Sequence, residues 1–263
     1  MKRILLAGIF VLSTAMAQGA GLVPYRAQYD VSLARTQPGG MVTAHGRTVV
    51  EFRDACTAWT LSQRFITDMT NAKAESFRSD FYVASSETKD GRIMRFKLRD
   101  AVNGKITQRV AGTGTFASIG GQVKLTTQRG HDFPLPVGTA MPTQFTLALL
   151  HAAANGSGHV RQTVFQGGDS TNLYDAVATI GKQVSGMRLA DDSAADTAGL
   201  LKGHVAWPAI ISYYPHDADE KPADYEMAYR LYDNGVISQM SLIYPNFTLR
   251  ADLVKLERLP GAC

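Results

Sequence analysis

Apolar and polar residues alternate along most of this chain, the mark of strands with one buried face and one wet face. Tyr25, Ala27, Tyr29, Val31 and Leu33 fall on one side, and Arg26, Gln28, Asp30 and Ser32 on the other. The period of two recurs in Thr48 to Phe52, Trp59 to Phe65, Phe77 to Val83, Ile93 to Leu98 and Lys105 to Val110. It returns in Val160 to Phe165, Tyr174 to Ile180 and Val205 to Tyr214, and Phe247 to Leu259 reads as a last strand. Turn residues punctuate the runs at Pro38-Gly39-Gly40, Asp90-Gly91, Asn103-Gly104 and Gly120-Gly121. Asp-Gly and Asn-Gly suit tight hairpins because both residues tolerate positive φ. The fold class is therefore mainly β, built as a long antiparallel sheet.

One segment departs from this pattern. Pro142 to Ala154 is rich in Ala and Leu, carries Pro in its first turn and ends at Asn155-Gly156. That predicts the main helix, over about 142–155. Phe145, Leu149 and Ala152 share one side of it and should pack on the sheet.

The most legible hairpin lies near the C-terminus. A two-residue type I′ loop at Asn234-Gly235 pairs Asp233 with Val236. It then sets Tyr225 opposite Tyr244, Met227 opposite Leu242 and Tyr229 opposite Met240. These six residues share a face, and a slip of one residue would turn them all to water. They would line an apolar cleft for a lipid chain, or else form ordinary core against a helix or an opposing wall. Alternation is identical in a filled barrel and an open one.

The chain opens Met1-Lys2-Arg3, continues through an apolar stretch from Ile4 to Leu12 and reaches Ala15-Met16-Ala17. A cationic head, a short apolar run and an A-x-A site predict a secretory signal peptide over residues 1–17. The mature chain, residues 18–263, is expected to be a single periplasmic domain. No later run is long and apolar enough to be transmembrane. Cleavage removes Lys2 and Arg3 and no acid, so the formal charge of +4 overstates the basic character of the mature protein. No basic cluster interleaves with aromatics, so no nucleic-acid partner is expected.

Cys56 and Cys263 are the two cysteines of the chain. In an oxidising compartment such a pair favours a disulfide over a metal site, with free thiols or an intermolecular bridge as the alternatives. The six histidines are never three or four residues apart, so helical zinc spacing is missing. His151, on the predicted helix, reads as a surface imidazole rather than a general base. Gly168-Asp169-Ser170 superficially suggests an esterase nucleophile. It lies in mid-chain with no Asp-x-x-His after it, and a strand-ending turn fits better. Asp191 to Asp196 is small, polar and acidic, lacks the spaced ligands and central Gly of a calcium loop, and reads as a loop rather than a metal site. The residues thus predict no catalytic set, no metal and no cofactor.

Several short motifs, taken in order, carry a resemblance. Cys56-x-x-Trp59 and Gln63 come first, followed by Phe165-Gln166-Gly167-Gly168-Asp169 with Tyr174-Asp175. Trp207-Pro208, Ile211-Ser212-Tyr213-Tyr214, Leu231 to Val236 and the terminal Cys263 complete the set. Together they resemble the EipB-like family of alphaproteobacterial cell-envelope integrity proteins, over essentially Tyr25 to Cys263. The resemblance implies an antiparallel sheet wound as a spiral or open barrel, with a helix lodged against it. It also implies a disulfide between Cys56 and Cys263 and a non-enzymatic role in envelope integrity. Such a protein would act by binding a periplasmic or envelope protein partner. The alternative is a carrier of lipid or lipoprotein acyl chains, and an envelope hydrolase ranks below both.

Overall fold

The computed structural model describes residues 21–127, 131–185, 192, 194–216 and 222–261. The expected leader and Cys263 lie outside the described residues. The first half of the chain is a meander of β1 (Tyr25–Thr36), β2 (Met41–Asp54), β3 (Ala58–Asn71), β4 (Ser76–Thr88), β5 (Ile93–Val102), β6 (Lys105–Ala117), β7 (Gly120–Leu125) and β8 (Phe133–Leu135). Helix α1 (Pro142–Ala154) interrupts it. A second meander follows, of β9 (His159–Phe165), β10 (Leu173–Ile180), β11 (Ala206–Pro215), β12 (Tyr225–Tyr232), β13 (Ile237–Ile243) and β14 (Phe247–Arg258).

All strands join one antiparallel sheet in the order β8-β7-β6-β5-β4-β3-β2-β1-β14-β13-β12-β11-β10-β9. The two meanders meet where β1 pairs with β14, Tyr25 opposite Arg258 and Val31 opposite Ala251. The sheet does not close, since β8 and β9 stand at opposite ends of that order. It overlaps instead. Alternate residues of the β9–β10 hairpin serve two cores: Val164, Ala176 and Ala178 face the main one, while Phe165 and Leu173 join a second with Met94, Phe96, Val110, Val123 and Leu125 of β5–β7. The hairpin is thus sandwiched between its own barrel wall and the inner face of the opposite arm. Ala140, just before α1, blunts the β9 edge: its N–H donates to the Thr163 carbonyl at 2.8 Å, and its carbonyl accepts from the Phe165 N–H at 3.0 Å.

The period-two reading of β1 holds in detail, with Tyr25, Ala27, Tyr29 and Val31 all buried in the main core. Two sequence expectations need correction. Gly120-Gly121 is not the turn but the start of β7; Gly120 takes φ +111°, and a Cβ on Gly121 would sit 2.2 Å from the Thr115 carbonyl oxygen, so Gly121 is set by close backbone approach. The C-terminal hairpin also turns differently. Its loop has three residues, Asp233-Asn234-Gly235, with the Tyr232 N–H bonded to the Val236 carbonyl at 2.9 Å. Gly235 takes φ +85°, whereas Asn234 stays out of the positive-φ region that a type I′ turn demands of both central residues. The Asn234 side chain is committed elsewhere, donating to the Leu200 carbonyl at 2.7 Å and accepting from the Val236 N–H. Near the loop Leu231 therefore pairs with Ile237. An irregularity at Gln239, with φ +49°, then restores the expected register, and Met227 does lie opposite Leu242.

Candidate functional site

Helix α1 stoppers the end of the spiral where β1 begins and β4 ends. Its N-cap residue, Met141, offers no side-chain oxygen, and the cap arrives from β4 instead. Glu87, 2 % exposed, accepts from the Thr143 N–H at 2.9 Å, placing a carboxyl at the positive end of the helix dipole. A cavity of about 100 Å³ remains beside it, lined by Leu22, Tyr25, Phe52, Leu61, Asn234 and Ile237 among others. Burial pushes the Glu87 pKa up to about 7, against the lowering effect of the Thr143 hydrogen bonds.

This shift has a defined consequence for stability. The folded state holds the proton more tightly than the unfolded chain, whose Glu titrates near 4.5. The stabilisation is therefore complete below about pH 4.5, falls as pH rises and is lost above about pH 7. The span is about 3 kcal/mol, since each pKa unit corresponds to about 1.4 kcal/mol. Urea titrations of wild type and Glu87→Gln from pH 4.5 to 8 should show the variant gaining about that much relative to wild type. A constant difference across the range would show that Glu87 does not titrate there.

The opposite end carries a band of rings on the inner wall. Tyr213 and Tyr225 stack at 4.7 Å between ring centroids, Tyr174 meets both edge-on, and Tyr244 continues the row to Phe247 at 4.8 Å. The Tyr225 hydroxyl donates to Gln166 Oε1 at 2.9 Å, tying β12 to the β9–β10 connection. Desolvation raises the Tyr213, Tyr225 and Tyr229 hydroxyls above the usual phenol range, while at Tyr174, on the edge of the row, desolvation is joined by the charges of Asp224 and Asp169. All six residues expected to share a face do so. Tyr229 and Met240 are buried in the main core, while Tyr225, Met227, Leu242 and Tyr244 pack against it half-buried.

Asp192 is marked by the sequence only as part of a small acidic loop, with no direct sign of its burial. It is 3 % exposed, and its Oδ2 accepts from Arg230 Nη1 at 2.8 Å and from the Tyr232 and Ser238 hydroxyls at 2.7 Å each. Nearby, Asp196 accepts from the N–H groups of Ala198, Leu200 and Leu201. Asp192 ties the excursion between β10 and β11 onto β12 and β13, and Asp196 fastens a turn within it. The weak available signal was the apolar Leu200-Leu201 pair a few residues on, which needs somewhere to bury.

The esterase-like block is a cap, as its mid-chain position suggested. Asp169 accepts from the Thr171 N–H and begins a single 3-10 turn, Ser170–Asn172. The histidines are dispersed: His151 is exposed beside Asn155, His204 pairs with Asp233 and His216 pairs with Asp175 at 3.1 Å. No three His, Cys, Asp or Glu side chains converge on a metal-sized site among the described residues.

An open antiparallel spiral with an internal helix and an aromatic inner wall defines a β-barrel-like protein. The EipB-like family model matches residues 16–260, and the chain belongs to that family. It is 27 % identical over 253 residues to the cell envelope integrity protein EipB of Brucella abortus, covering 94 % of this chain and 88 % of that protein. The crystal structure of a beta-barrel-like protein of a domain of unknown function, also from Brucella abortus, superposes with a TM-score of 0.82. That match has 27 % sequence identity and covers 91 % of this chain and 99 % of the other.

Proposed function

We propose that this chain is an exported periplasmic factor that maintains cell-envelope integrity by binding rather than by catalysis. The observation that carries the reading is the similarity, in both sequence and fold and over nearly the whole chain, to a protein named for cell-envelope integrity. The signal-peptide pattern of residues 1–17 supports export. Among the described residues no helix is long and apolar enough to cross a membrane.

A disulfide between Cys56 and Cys263 belongs to the same proposal, and the topology supports it. Cys56 lies in the β2–β3 turn, and β14 ends two strands away, since Arg258 pairs with Tyr25 and Tyr25 with Phe52. Two strand spacings amount to roughly 10 Å, within reach of the few residues that follow Arg258. Such a bridge would pin the seam between the two meanders.

A second reading, carriage of an acyl chain, is favoured by the half-buried, mutually packed rings of Tyr174, Tyr225 and Tyr244. Two measurements test the proposal. A deletion strain should become more sensitive to detergent and cell-wall antibiotics; unchanged sensitivity would sink the envelope role. Native mass spectrometry of the periplasmic protein should give a mass two hydrogens below the reduced chain. A stoichiometric extractable lipid would make the protein a carrier, and a bare chain would favour a protein partner.

A further inference from the structure

Two of the most exposed apolar side chains share one tip of the sheet. Ile119, in the β6–β7 turn, is 89 % exposed, and Val137, just after β8, is 68 % exposed. They are neighbours: a Cβ on Gly120 would lie 3.9 Å from Val137 Cγ2. Burial elsewhere explains neither of them, because both stand in water at the edge-strand end of the spiral.

The flank behind this tip is cationic. Alternation along β5 puts Met94, Phe96 and Leu98 inside and leaves Arg95 and Lys97 exposed. Thr113 faces Arg95 on one side and Lys124 on the other, so Arg95 and Lys124 stand on the same outer surface two strands apart. Of the neighbouring acids, Asp80 pairs with Arg64 and Arg99, Asp90 lies near Arg92 at 3.9 Å, and Asp132 beside Lys124 accepts from the Leu125 N–H at 2.9 Å. Arg95, Lys97 and Lys124 form no ion pair among the described residues, and Lys97 only overhangs the Tyr82 ring at 5.5 Å.

We propose that this tip and flank dock the protein on an anionic lipid surface. Ile119 and Val137 enter the headgroup boundary, and Arg95, Lys97 and Lys124 meet lipid phosphates. The inference rests on the envelope role only for the presence of such a membrane; the surface itself is argued from geometry. Two isolated aliphatic tips are far too small for a protein interface, which needs roughly 800 Å² per partner. They match a shallow interfacial contact, where buried apolar area and basic residues act together. At strand rise Arg95 and Lys124 lie roughly 13 Å behind the end of the β6–β7 hairpin and Lys97 roughly 20 Å, so tilting the β5–β7 flank brings Arg95 and Lys124 towards the phosphates first.

The test is sedimentation of the intact mature chain with phosphatidylcholine vesicles, with and without phosphatidylglycerol. The expected result is binding to the anionic vesicles alone, weakened by salt. The Arg95→Glu/Lys124→Glu double variant should lower partitioning at least tenfold, and Ile119→Ser/Val137→Ser should lower it several-fold. All four side chains are exposed, so the urea midpoints should stay at the wild-type value and separate lost docking from lost folding. No binding by wild type, or binding that ignores either pair of substitutions, overturns the proposal. Binding to polyglutamate but not to vesicles also overturns it, and would assign the surface to an acidic polypeptide. Neither failure touches the deletion phenotype, so the envelope role stands or falls on its own.

Discussion

Phe165→Ala is expected to lower the unfolding free energy by about 3–5 kcal/mol, the usual cost of removing a fully buried phenylalanine. Phe165 has no exposed surface and sits edge-on between Phe96 at 5.3 Å and Phe133 at 5.8 Å. Its neighbours cannot collapse easily into the gap. Gly167, two residues on, already lies so close to β5 that a Cβ there would approach Met94 Cε to 2.9 Å. Phe165 joins the two arms of the spiral, so its loss should act locally as well as globally. Amide exchange should rise first in β9 and β10 and least in β1 and β14, where the two meanders are hydrogen-bonded together. A loss below about 0.5 kcal/mol, the range of an ordinary surface change, would show that the overlap contributes little to stability.

Asp192→Ala should be comparably severe, about 3–5 kcal/mol, because it strands a buried cation rather than merely deleting a contact. Arg230 is only 17 % exposed at its side chain, and the Tyr232 and Ser238 residues are fully buried. All three donate to one carboxylate oxygen. Without it, three donors remain desolvated and unpaired. The excursion between β10 and β11 should then loosen, and limited proteolysis should cut within residues 194–204 before the strands. A double-mutant cycle with Arg230→Met separates the pair from its surroundings: the double variant should recover part of the loss, since the orphaned charge is gone. Equal losses in the double variant and Asp192→Ala would mean that the carboxylate acts through Tyr232 and Ser238 alone.

Much of this fold is legible in the residues. Period-two alternation locates β1 and gives the inward set Tyr25, Ala27, Tyr29 and Val31, and Pro142 with Asn155-Gly156 brackets α1. The shared face of Tyr225, Met227, Tyr229, Met240, Leu242 and Tyr244 is legible as well, even though the assumed loop was one residue too short. Two one-residue displacements, at Gly235 and at Gln239, cancel along the hairpin, so the facing of the side chains survives.

The chain by itself therefore determined most of the strands, though not β7 and β8, together with the helix and which side chains point inward, because alternation and turn chemistry act between residues a few positions apart. Tertiary structure alone decided the overlap of β9–β10 on β5–β7, the Glu87 cap on α1 and the burial of Asp192. Each joins groups dozens of residues apart: Thr143 meets a carboxyl that precedes it by 56 positions, and Asp192 meets hydroxyls 40 and 46 positions on. A local pattern shows that Glu87 and Asp192 are polar and no more. Burial and partners follow from how the sheet winds, and winding is set by the sum of long-range contacts rather than by any one segment.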